Sequence, residues 1–370
     1  MTSSPFIQER IAAAQFMVAG CGALGNEVLK NLALMGAAHL TLVDFDRVEQ
    51  GNLSRSVLYS KADVGACKVD VAARKLKEMN PEMEVHTICG DVAYDVGLGL
   101  VRQMDVVIGC VDSRWARYCI NRLCMRARVP WVDGGIDTLE GTVRVFAPGQ
   151  NCYACNLGPE GLRDLQYRMP CSGTIRRNEE SGHAPTTSIV ASVTGAVQVQ
   201  EALKLLHPEA GMTSLCGKMF YYEGAHLSTR VVDFQAYDAD CPVHDAWEPV
   251  SPTAVTPRMS VHAALEQLGR ELGGGPVTLH LSADCFVDEV LRRSDDCSVA
   301  VMRPGRAVAA FVEKDPVLGG LPLSALYQHE YREIDDTFPY QELSLKELGV
   351  PERDVLWVST PTGDYYKEML

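Results

Sequence analysis

The sequence predicts an α/β protein in which a mostly parallel β-sheet is covered by helices on both faces, followed by a small α+β domain. Short apolar segments alternate with segments of helical periodicity over the first 150 residues. A glycine-rich turn joins the first apolar segment to the first helical one. Strands that alternate with helices favour a parallel sheet, because each return to the same strand direction needs a crossover connection.

The individual elements follow from periodicity and from helix breakers. Apolar runs predict strands at residues 15–20, 39–43, 85–88, 106–109, 131–133, 142–146, 219–222 and 229–234. Helical spacing predicts helices at residues 26–35, 68–79 and 189–206. Asn80-Pro81 ends the second of these helices, and Ser113 is suited to cap another that runs to about residue 128.

Changes in composition divide the chain into domains. We predict a first domain at residues 1–246, in which the Gly- and Pro-containing residues 156–188 form a long crossover loop. Three prolines and few large apolar residues predict a linker at 247–257. Residues 258–370 would form the small domain, with strands at 277–281, 298–302, 307–312 and 355–359 and helices at 286–293 and 343–348.

The composition of the 370-residue chain narrows the class of protein. Its formal net charge of −14 excludes the basic surface that binds nucleic acid. The N-terminus has no signal-peptide pattern, and no uninterrupted apolar run is long enough to span a bilayer. Thirteen cysteines without a secretion signal favour a reducing compartment, so we expect a cytoplasmic protein with no membrane partner.

The glycine-rich turn has the spacing of a nucleotide-binding loop, with Gly20, Gly22 and Gly25. The first two glycines let backbone amides approach a phosphate, and the N-terminus of the following helix adds a positive dipole. Asp44 ends the next strand about 20 residues further on, where a carboxylate can hold ribose hydroxyls. These features fit NAD and ATP equally.

Polar residues further along the chain favour ATP. Asn52, Arg55 and Lys68 supply the polar and cationic groups that a triphosphate requires, and Asp112 follows an apolar strand, where it can hold Mg²⁺ with phosphate oxygens. Each residue alone has an ordinary interpretation as a surface charge or a helix cap. The ordered set indicates a site that binds ATP with Mg²⁺ and exposes the α-phosphate, which points to adenylation rather than redox chemistry.

The chain resembles the ThiF/MoeB/ubiquitin-activating E1 superfamily over residues 8–245. The shared pattern consists of segments 20–25, 44–48, 52–55 and 65–68, and of Asp112-Ser113 with Arg117 and Asn121. The resemblance implies a Rossmann-like fold that adenylates the C-terminal glycine of a ubiquitin-like or sulfur-carrier protein. It implies catalytic roles for Arg55, Lys68 and Asp112, and cofactor binding by these three together with Gly20, Gly22, Gly25, Asp44, Asp46 and Asn52.

Two positions depart from the family pattern. Ser113 stands where the family usually has Asn after the metal-binding aspartate. The family also has an arginine well upstream of the first strand that reaches the partner's ATP in its homodimers, and Arg10 aligns with a different, non-catalytic position. We therefore expect Arg176 and Arg177, or a partner protein, to supply this cation, and the resemblance implies a homodimer.

Two short motifs indicate a metal site. Cys152 and Cys155 have CxxC spacing, and Cys241 and His244 repeat that spacing with His as the last ligand. Together they form a Cys₃His set, a closed stoichiometry typical of structural zinc. A redox-active CxxC is the alternative for the first pair. In the resembling family two CxxC pairs bind zinc, and His244 replaces the usual fourth cysteine.

Cys171 is a candidate nucleophile in the predicted crossover loop. Arg168, Arg176 and Arg177 are close in sequence and would favour its thiolate form. A thiolate could take the acyl group from the adenylate as a thioester, and the family's crossover loop carries such a cysteine. The alternative is a loop cysteine without a role, because some family members only adenylate.

Three hypotheses for function follow. The first is an E1-like enzyme of a bacterial conjugation system. It would capture a ubiquitin-like protein on Cys171 and pass it to an E2-like protein, which a ubiquitin-fold-like module at 258–370 would recruit. The second is an adenylyltransferase for a sulfur carrier, without the thioester step. The third is a non-catalytic scaffold that retains the nucleotide fold.

Overall fold

The computed structural model describes residues 6–158, 160–161, 165, 187–234, 237–245, 247–282, 286–291, 298–304 and 329–369. The chain divides into two compact units. The first contains residues 1–93, 101–158 and 182–246, and the second contains 94–100, 159–181 and 247–370. Most of the predicted crossover loop, including Cys171, lies outside the described residues, and so does the predicted strand at 307–312.

The first unit is built on an eight-stranded sheet with the strand order β3-β2-β1-β4-β5-β6-β7-β8. Strands β1 to β5 run parallel, and β6, β7 and β8 add antiparallel pairs at one side. The strands are β1 Gln15–Ala19, β2 His39–Val43, β3 Glu84–Ile88, β4 Val106–Gly109, β5 Trp131–Asp137, β6 Glu140–Phe146, β7 Lys218–Glu223 and β8 Ser228–Asp233.

Helices connect these strands, and their ends follow local sequence signals. The helices of the first half are α1 Gln8–Ala13, α2 Ala23–Leu34, α3 Lys68–Met79, α4 Leu98–Val101, α5 Arg114–Ala127 and α6 Ser188–Leu206. The Ser113 hydroxyl accepts a hydrogen bond from the Ala116 N–H and so caps α5 as predicted. The α3 helix ends at Met79, because Pro81 disfavours helical backbone at the preceding residue, Asn80, which is extended.

The sheet has buried apolar strands and helices on both faces. Phe16, Val18, Leu42 and Ile108 are fully buried, as expected for parallel strands that are covered twice. The α2 crossover leads from β1 to β2, whereas α5 leads from β4 to β5 on the other side of β1, so right-handed connections place the two helices on opposite faces. The predicted α/β class with a mostly parallel Rossmann-like sheet is confirmed.

The α6 helix is the one described helix that is long and apolar enough to cross a membrane. Half of its most apolar window is buried within the protein, and it packs on α2, β5 and β6. The buried Gln198 side chain donates hydrogen bonds to the carbonyls of Gly109 (2.9 Å) and Val132 (3.2 Å). These contacts make α6 a core helix of the first unit, which explains its apolar composition.

The second unit contains helix α7, Val261–Glu271, and two sheets. The larger sheet has the order β14-β10-β15-β16-β9 and the smaller one β12-β11-β13. Their strands are β9 Val250–Thr253, β10 Thr278–His280, β11 Phe286–Leu291, β12 Ser298–Pro304, β13 Glu330–Tyr331, β14 Glu333–Ile334, β15 Val355–Thr360 and β16 Gly363–Met369. A separate core packs α7 against the larger sheet.

Two predicted helices of this unit are wrong. The segment predicted as a helix at 286–293 is strand β11, which pairs with β12 and β13. Phe286 and Asp288, two residues apart, are both buried, and this spacing matches the two-residue repeat of side chains along a strand. The segment at 343–348 forms turns, and two of its amides bond to another part of the chain, Leu345 to the Met259 carbonyl and Lys346 to the Pro257 carbonyl.

Part of the predicted linker at 247–257 is ordered structure. Residues 250–253 form β9, which pairs in parallel with β16 at the edge of the larger sheet. Proline has no backbone N–H to donate. An edge strand tolerates Pro252, because only one side of such a strand is hydrogen-bonded to a neighbour. Trp247 and Val255 are also buried, and Trp247 stacks on Tyr366 with ring centroids 5.0 Å apart.

Candidate functional site

The candidate site lies where the order of the parallel strands reverses. β1 has β2 on one side and β4 on the other, so the loops that leave β1 and β4 diverge to opposite faces of the sheet. Such a switch point leaves a crevice outside the carboxyl ends of the strands, which is the usual ligand position in open α/β sheets. Residues 20–25, 44–46 and 110–112 follow β1, β2 and β4 at this edge.

The first two glycines of the loop have different roles. Gly20 has φ of +94°, and a Cβ there would lie 2.5 Å from the Cys110 carbonyl oxygen, so no other residue fits. Gly22 is the N-cap of α2, lacks a capping side chain, and has open space where a Cβ would stand. The free first-turn amides of this 12-residue helix are therefore available to an anion.

Buried polar side chains that the sequence analysis missed hold this loop in shape. The Asn26 side chain donates to the carbonyls of Cys21 (2.8 Å) and Gly22 (2.9 Å) and accepts from the Leu58 N–H (2.9 Å). The Tyr59 hydroxyl donates to the Cys21 carbonyl at 2.6 Å. A polar residue on the apolar side of α2 was the available signal for Asn26, whereas the position of Tyr59 follows from tertiary structure alone.

Asp44 is tied to the same loop. Its Oδ2 accepts from the Cys21 N–H at 2.6 Å, and its Oδ1 accepts from the Asp46 N–H at 2.7 Å. Burial raises the pKa of Asp44, and the nearby Lys68 cation opposes this shift. A carboxylate has about four acceptor positions, so Asp44 can still accept hydroxyl groups from a ligand.

Lys68 and Asp46 form a close ion pair at the start of α3. The Lys68 Nζ lies 2.6 Å from Asp46 Oδ2, and the Lys68 N–H donates to the Asp46 carbonyl at 3.0 Å. The Lys68 side chain is only 9% exposed, whereas that of Asp46 is 50% exposed. The pair therefore places a buried cation beside Asp44. This position is near the carboxyl ends of the strands, where the sequence predicts phosphate binding.

The remaining predicted nucleotide residues are less closely held. The Asn52 side chain accepts from the Glu49 N–H at 2.9 Å and so caps its own short turn. The Arg55 guanidinium donates to the Gly51 carbonyl at 3.2 Å. Asp112 is exposed at the carboxyl end of β4, directly before the capped N-terminus of α5. Its carboxylate is thus accessible to a cation at the switch point.

A buried charge cluster, absent from the sequence-based site, lies behind Asp112. Asp133 is fully buried on β5 and pairs with Arg117, at 3.0 Å, and with Arg144. Arg117 also donates to the Val111 carbonyl at 2.7 Å. Burial alone would lower the Arg117 pKa, but Asp133, Tyr153 and Asp112 together raise it. Arg117 belonged to the family pattern, whereas Asp133 and Arg144 gave no local signal.

The four predicted metal ligands meet at one point of the first unit. The ligand atoms of Cys152, Cys155, Cys241 and His244 all lie within 4.8 Å of one another. Two sulfur–sulfur distances from Cys152 are 3.7 and 3.8 Å, and the Cys155 sulfur lies 3.3 Å from His244 Nε2. A tetrahedral metal with metal–sulfur bonds of about 2.3 Å gives sulfur–sulfur distances of about 3.8 Å, so this set fits a zinc ion.

The surroundings of these ligands suit a metal-bound thiolate. The hydrogen bond between the two thiols lowers the pKa of Cys152 and raises the pKa of Cys241, so Cys152 is the member of this pair that more readily becomes a thiolate. The Tyr237 ring stacks on the His244 ring with centroids 4.4 Å apart. All three cysteines are buried, which disfavours a role in exchange with soluble disulfides.

Other sequence predictions lie elsewhere in the chain. Cys171 and the Arg176-Arg177 pair are outside the described residues. Arg10 binds the Leu206 carbonyl at 2.8 Å and the Glu209 carboxylate, near the end of α6, which is a structural contact. Burial raises the pKa of the Cys21 thiol, so this cysteine of the loop is protonated and packs as an apolar residue.

Comparison with known proteins defines the class. The sequence matches the ThiF family over residues 3–243, which is more than half of the 370-residue chain. The chain therefore belongs to the ThiF family. This confirms the resemblance to the ThiF/MoeB/E1 superfamily inferred from the motifs.

Related proteins include activating enzymes and adenylyltransferases. The SAMP-activating enzyme E1 of Haloferax volcanii is 30% identical over 64% of this chain and 82% of that protein. The adenylyltransferase and sulfurtransferase MOCS3 of Mus musculus is 33% identical over 64% of this chain and 48% of that protein. The molybdopterin-synthase adenylyltransferase of Haemophilus influenzae is 29% identical over 61% of this chain and 87% of that protein. The chain thus spans about half the length of MOCS3.

Solved structures of E. coli MccB share the fold. MccB with ATP aligns with a TM-score of 0.52 at 22% identity, over 64% of this chain and 68% of that chain. MccB with AMPCPP and MccA gives the same TM-score and identity. At this level of identity the likeness concerns the fold alone.

The Asp133 cluster leads to a stability prediction. Asp133→Asn keeps the side-chain shape but leaves Arg117 and Arg144 without their carboxylate. Because these guanidinium groups are mostly buried, we expect a loss of about 3–5 kcal/mol in the free energy of unfolding. Urea denaturation of the purified protein measures this loss. Asp137→Asn, at the exposed end of the same strand, is the control and should change stability by less than about 0.5 kcal/mol.

Proposed function

We propose that this protein is an ATP-dependent adenylyltransferase that activates the C-terminal carboxylate of a small carrier protein. One observation carries the proposal. The open N-terminus of α2 at Gly22, the Asp44 carboxylate, the buried Lys68 cation and the exposed Asp112 carboxylate follow three neighbouring strands at one edge of the sheet. Membership of the ThiF family and the names of its relatives support the same reaction class.

Each group has a suitable task in binding ATP. The amides at the start of α2 would bind phosphate oxygens, and Asp44 would accept the ribose hydroxyls. Lys68 would balance phosphate charge from its position beside Asp46. Asp112 would hold Mg²⁺, which supplies charge neutralisation at the phosphates when it is bound. Asn52 and Arg55 lie on the neighbouring turn and would add polar contacts to the phosphates.

The reaction is an in-line displacement at the α-phosphorus. A carboxylate oxygen of the carrier's C-terminus forms a bond to the α-phosphorus, and the bond from that phosphorus to the bridging oxygen of pyrophosphate breaks. The products are the acyl adenylate and pyrophosphate, and no proton has to be transferred. The protein's contribution is therefore positioning and charge stabilisation, which the loop amides and Lys68 can supply.

The substrate class is a ubiquitin-like or sulfur-carrier protein that ends in glycine. One relative is named an E1 and others are named adenylyltransferases of molybdopterin synthase or of MOCS3 type.

We further propose that Cys171 accepts the activated acyl group. Its thiolate would attack the acyl carbon of the adenylate, form the thioester and release AMP. An E2-like protein would then receive the carrier. The role of residues 258–370 in recruiting that partner, the homodimer and the cytoplasmic location stay predictions from the sequence.

The sulfur-carrier function is a second candidate. Two relatives favour it, because one is named an adenylyltransferase and sulfurtransferase and the other a molybdopterin-synthase adenylyltransferase. In this function the adenylate itself is the product of the site, and Cys171 has no part in it.

We also propose that Cys152, Cys155, Cys241 and His244 hold a structural zinc ion. Their donor set leaves no position for a reacting water, and the cysteines are buried. The ion would join the turn at 152–155 to the segment at 241–244, which are about 90 residues apart in sequence.

The first test measures exchange of labelled pyrophosphate into ATP in the presence of Mg²⁺ and a panel of ubiquitin-like and sulfur-carrier proteins that end in glycine. We expect exchange with a member of the panel. Asp112→Ala and Lys68→Ala should each lower the exchange rate about 100-fold or more, because each removes charge stabilisation from the phosphates.

Lys61→Ala, which changes an exposed lysine of a nearby turn, is the matched control and should retain the rate. An unchanged rate in Asp112→Ala would contradict the proposed magnesium site. Binding of NADH without any exchange would reject the adenylation proposal, and binding of ATP without exchange would favour the scaffold hypothesis.

The second test separates the two candidate functions. Cys171→Ala should retain pyrophosphate exchange and lose a carrier adduct that dithiothreitol releases, as seen by non-reducing electrophoresis and mass spectrometry. A thiol-sensitive adduct that persists in this variant rejects Cys171 as the nucleophile. Exchange without any adduct in the wild type supports the sulfur-carrier function.

The third test concerns the metal. Elemental analysis of the purified protein should find about one zinc ion per chain, because the Cys₃His set completes one tetrahedral site. Cys241→Ser should lower the zinc content towards zero and lower the midpoint of thermal unfolding. Cys216→Ser, at a partly exposed cysteine outside the cluster, should leave both unchanged. Full zinc content in Cys241→Ser would rule out this site.

A further inference from the structure

We infer that Arg117 is a positioning residue of the adenylation site: it fixes the peptide between Val111 and Asp112, and so holds the Asp112 carboxylate where Mg²⁺ can bind together with phosphate oxygens. The inference rests on the proposed function and deepens it, because it names a residue of α5 on which the cation site depends. Arg117 acts through the backbone and is not itself a ligand of the cation.

The Arg117 guanidinium joins the segment after β4 to the neighbouring strand β5. Its Nη2 donates to the Val111 carbonyl at 2.7 Å and to the Gly134 carbonyl at 3.2 Å. Its Nε donates to the Asp133 carboxylate at 3.0 Å. Three N–H groups of one planar side chain therefore tie the residue before Asp112 to β5, and the planar geometry fixes all three bonds together.

This guanidinium is firmly held in its position. The Arg117 side chain is only 13% exposed, and that of Asp133 is not exposed at all. A Cβ at position 135 would lie 3.4 Å from Nη2, so Gly135 leaves room for the guanidinium beside β5. A buried guanidinium that loses an acceptor leaves a donor unsatisfied, and its bond to the Val111 carbonyl is therefore unfavourable to break.

Asp112 lies between two anchored positions. On one side Arg117 binds the Val111 carbonyl. On the other side the Ser113 hydroxyl accepts from the Ala116 N–H and caps α5. The Arg117 Nη1 also lies 3.5 Å from the Asp112 carbonyl oxygen. The backbone of Asp112 is thus held on both sides, while its side chain is exposed and can turn towards a cation.

The position of this carboxylate matters because Mg²⁺ is shared with the nucleotide. Mg²⁺ requires nearly octahedral geometry and is usually held by one or two carboxylates together with substrate phosphates. A carboxylate that moves away from the phosphates can no longer share a cation with them. We therefore expect Arg117 to determine how much Mg²⁺ increases the affinity for ATP, whereas the loop at Gly20 and Gly22 determines the affinity without the cation.

Arg144 provides a matched comparison. It pairs with the same buried Asp133, but from β6. Within the part of the chain that the structure describes, none of its hydrogen bonds or ion pairs is to residues 111–112. A role of Arg117 through the buried charges predicts similar effects for both arginines. A role through the Val111 carbonyl predicts an effect for Arg117 alone.

The experiment measures ATP binding to the full chain by isothermal titration calorimetry, once with Mg²⁺ and once without it. The ratio of the two dissociation constants is the metal effect. Arg117→Lys keeps a cation beside Asp133, but one ammonium group cannot replace a planar fork that reaches three acceptors. We expect this variant to reduce the metal effect about tenfold. Its dissociation constant without Mg²⁺ should stay within about threefold of the wild type.

Arg144→Lys is the matched control and should keep both the metal effect and the affinity without Mg²⁺. Asp112→Ala should lose the metal effect. Adding Arg117→Lys to Asp112→Ala should reduce the metal effect no further, because Arg117 acts on the cation only through Asp112. A purely structural role would lower the fraction of protein that binds ATP, and it would leave the ratio of the two dissociation constants unchanged.

A second measurement uses the wild type alone and so does not depend on the folding of variants. NMR relaxation of the deuterated, ¹⁵N-labelled protein without nucleotide should give order parameters of about 0.85 for the amides of Val111 and Asp112, the value of a rigid backbone. Values below about 0.6 would mean that the bonds from Arg117 do not hold this segment, and they would overturn the inference.

The outcomes separate the inference from the proposed function. An unchanged metal effect in Arg117→Lys, an equal loss in Arg144→Lys, or a further loss in the double variant overturns the role of Arg117 and leaves the adenylation proposal intact. A metal effect that persists in Asp112→Ala refutes the magnesium site and the inference with it. A wild type that binds no ATP, with or without Mg²⁺, refutes the proposed function itself and the inference that rests on it.

Discussion

The contact between the turn after β1 and the end of β4 is the constraint on which the rest of the site depends. Gly20 adopts a positive φ, and the Cys110 carbonyl occupies the space that a Cβ would need. Any side chain there would push the loop of β1 away from β4. Since these strands flank the switch point, their separation sets the width of the crevice. The glycine thus lets the turn that begins α2 pack directly against the segment that precedes Asp112.

The charged groups around this crevice are organised before any ligand binds. Two backbone amides hold the Asp44 carboxylate, and Asp46 holds the Lys68 amine. Both arrangements restrict the conformations of these side chains before a nucleotide binds. Less conformational entropy is therefore lost when they are ordered around the nucleotide. Asp112, by contrast, is exposed. This difference suits a cation site that is completed by the incoming phosphates.

Helix α5 links the nucleotide edge to the metal centre. It begins directly after Asp112, with Ser113 as its cap, and it carries Arg117 and Asn121 one turn apart. Arg117 binds the buried Asp133 behind the crevice, whereas Asn121 binds the turn that contains Cys152. Residues four apart lie on the same face of a helix. One rigid element therefore sets the positions of both centres relative to the sheet.

The sequence by itself determined the features whose signals are local. Some motifs are chemically specific within a few residues: the spacing of Gly20 and Gly22, the acid after β2 and the two CxxC-type pairs. The alternation of short apolar segments with helical segments predicted the parallel sheet. Tertiary structure decided the remainder. The partners Lys68 and Asp46, the buried Asp133 and the loop contacts of Tyr59 join segments that are distant in the chain. Short apolar segments such as 286–291 fit a strand or a helix equally well, and only pairing with neighbouring strands resolves them, because the hydrogen bonds of a sheet lie between segments rather than within one.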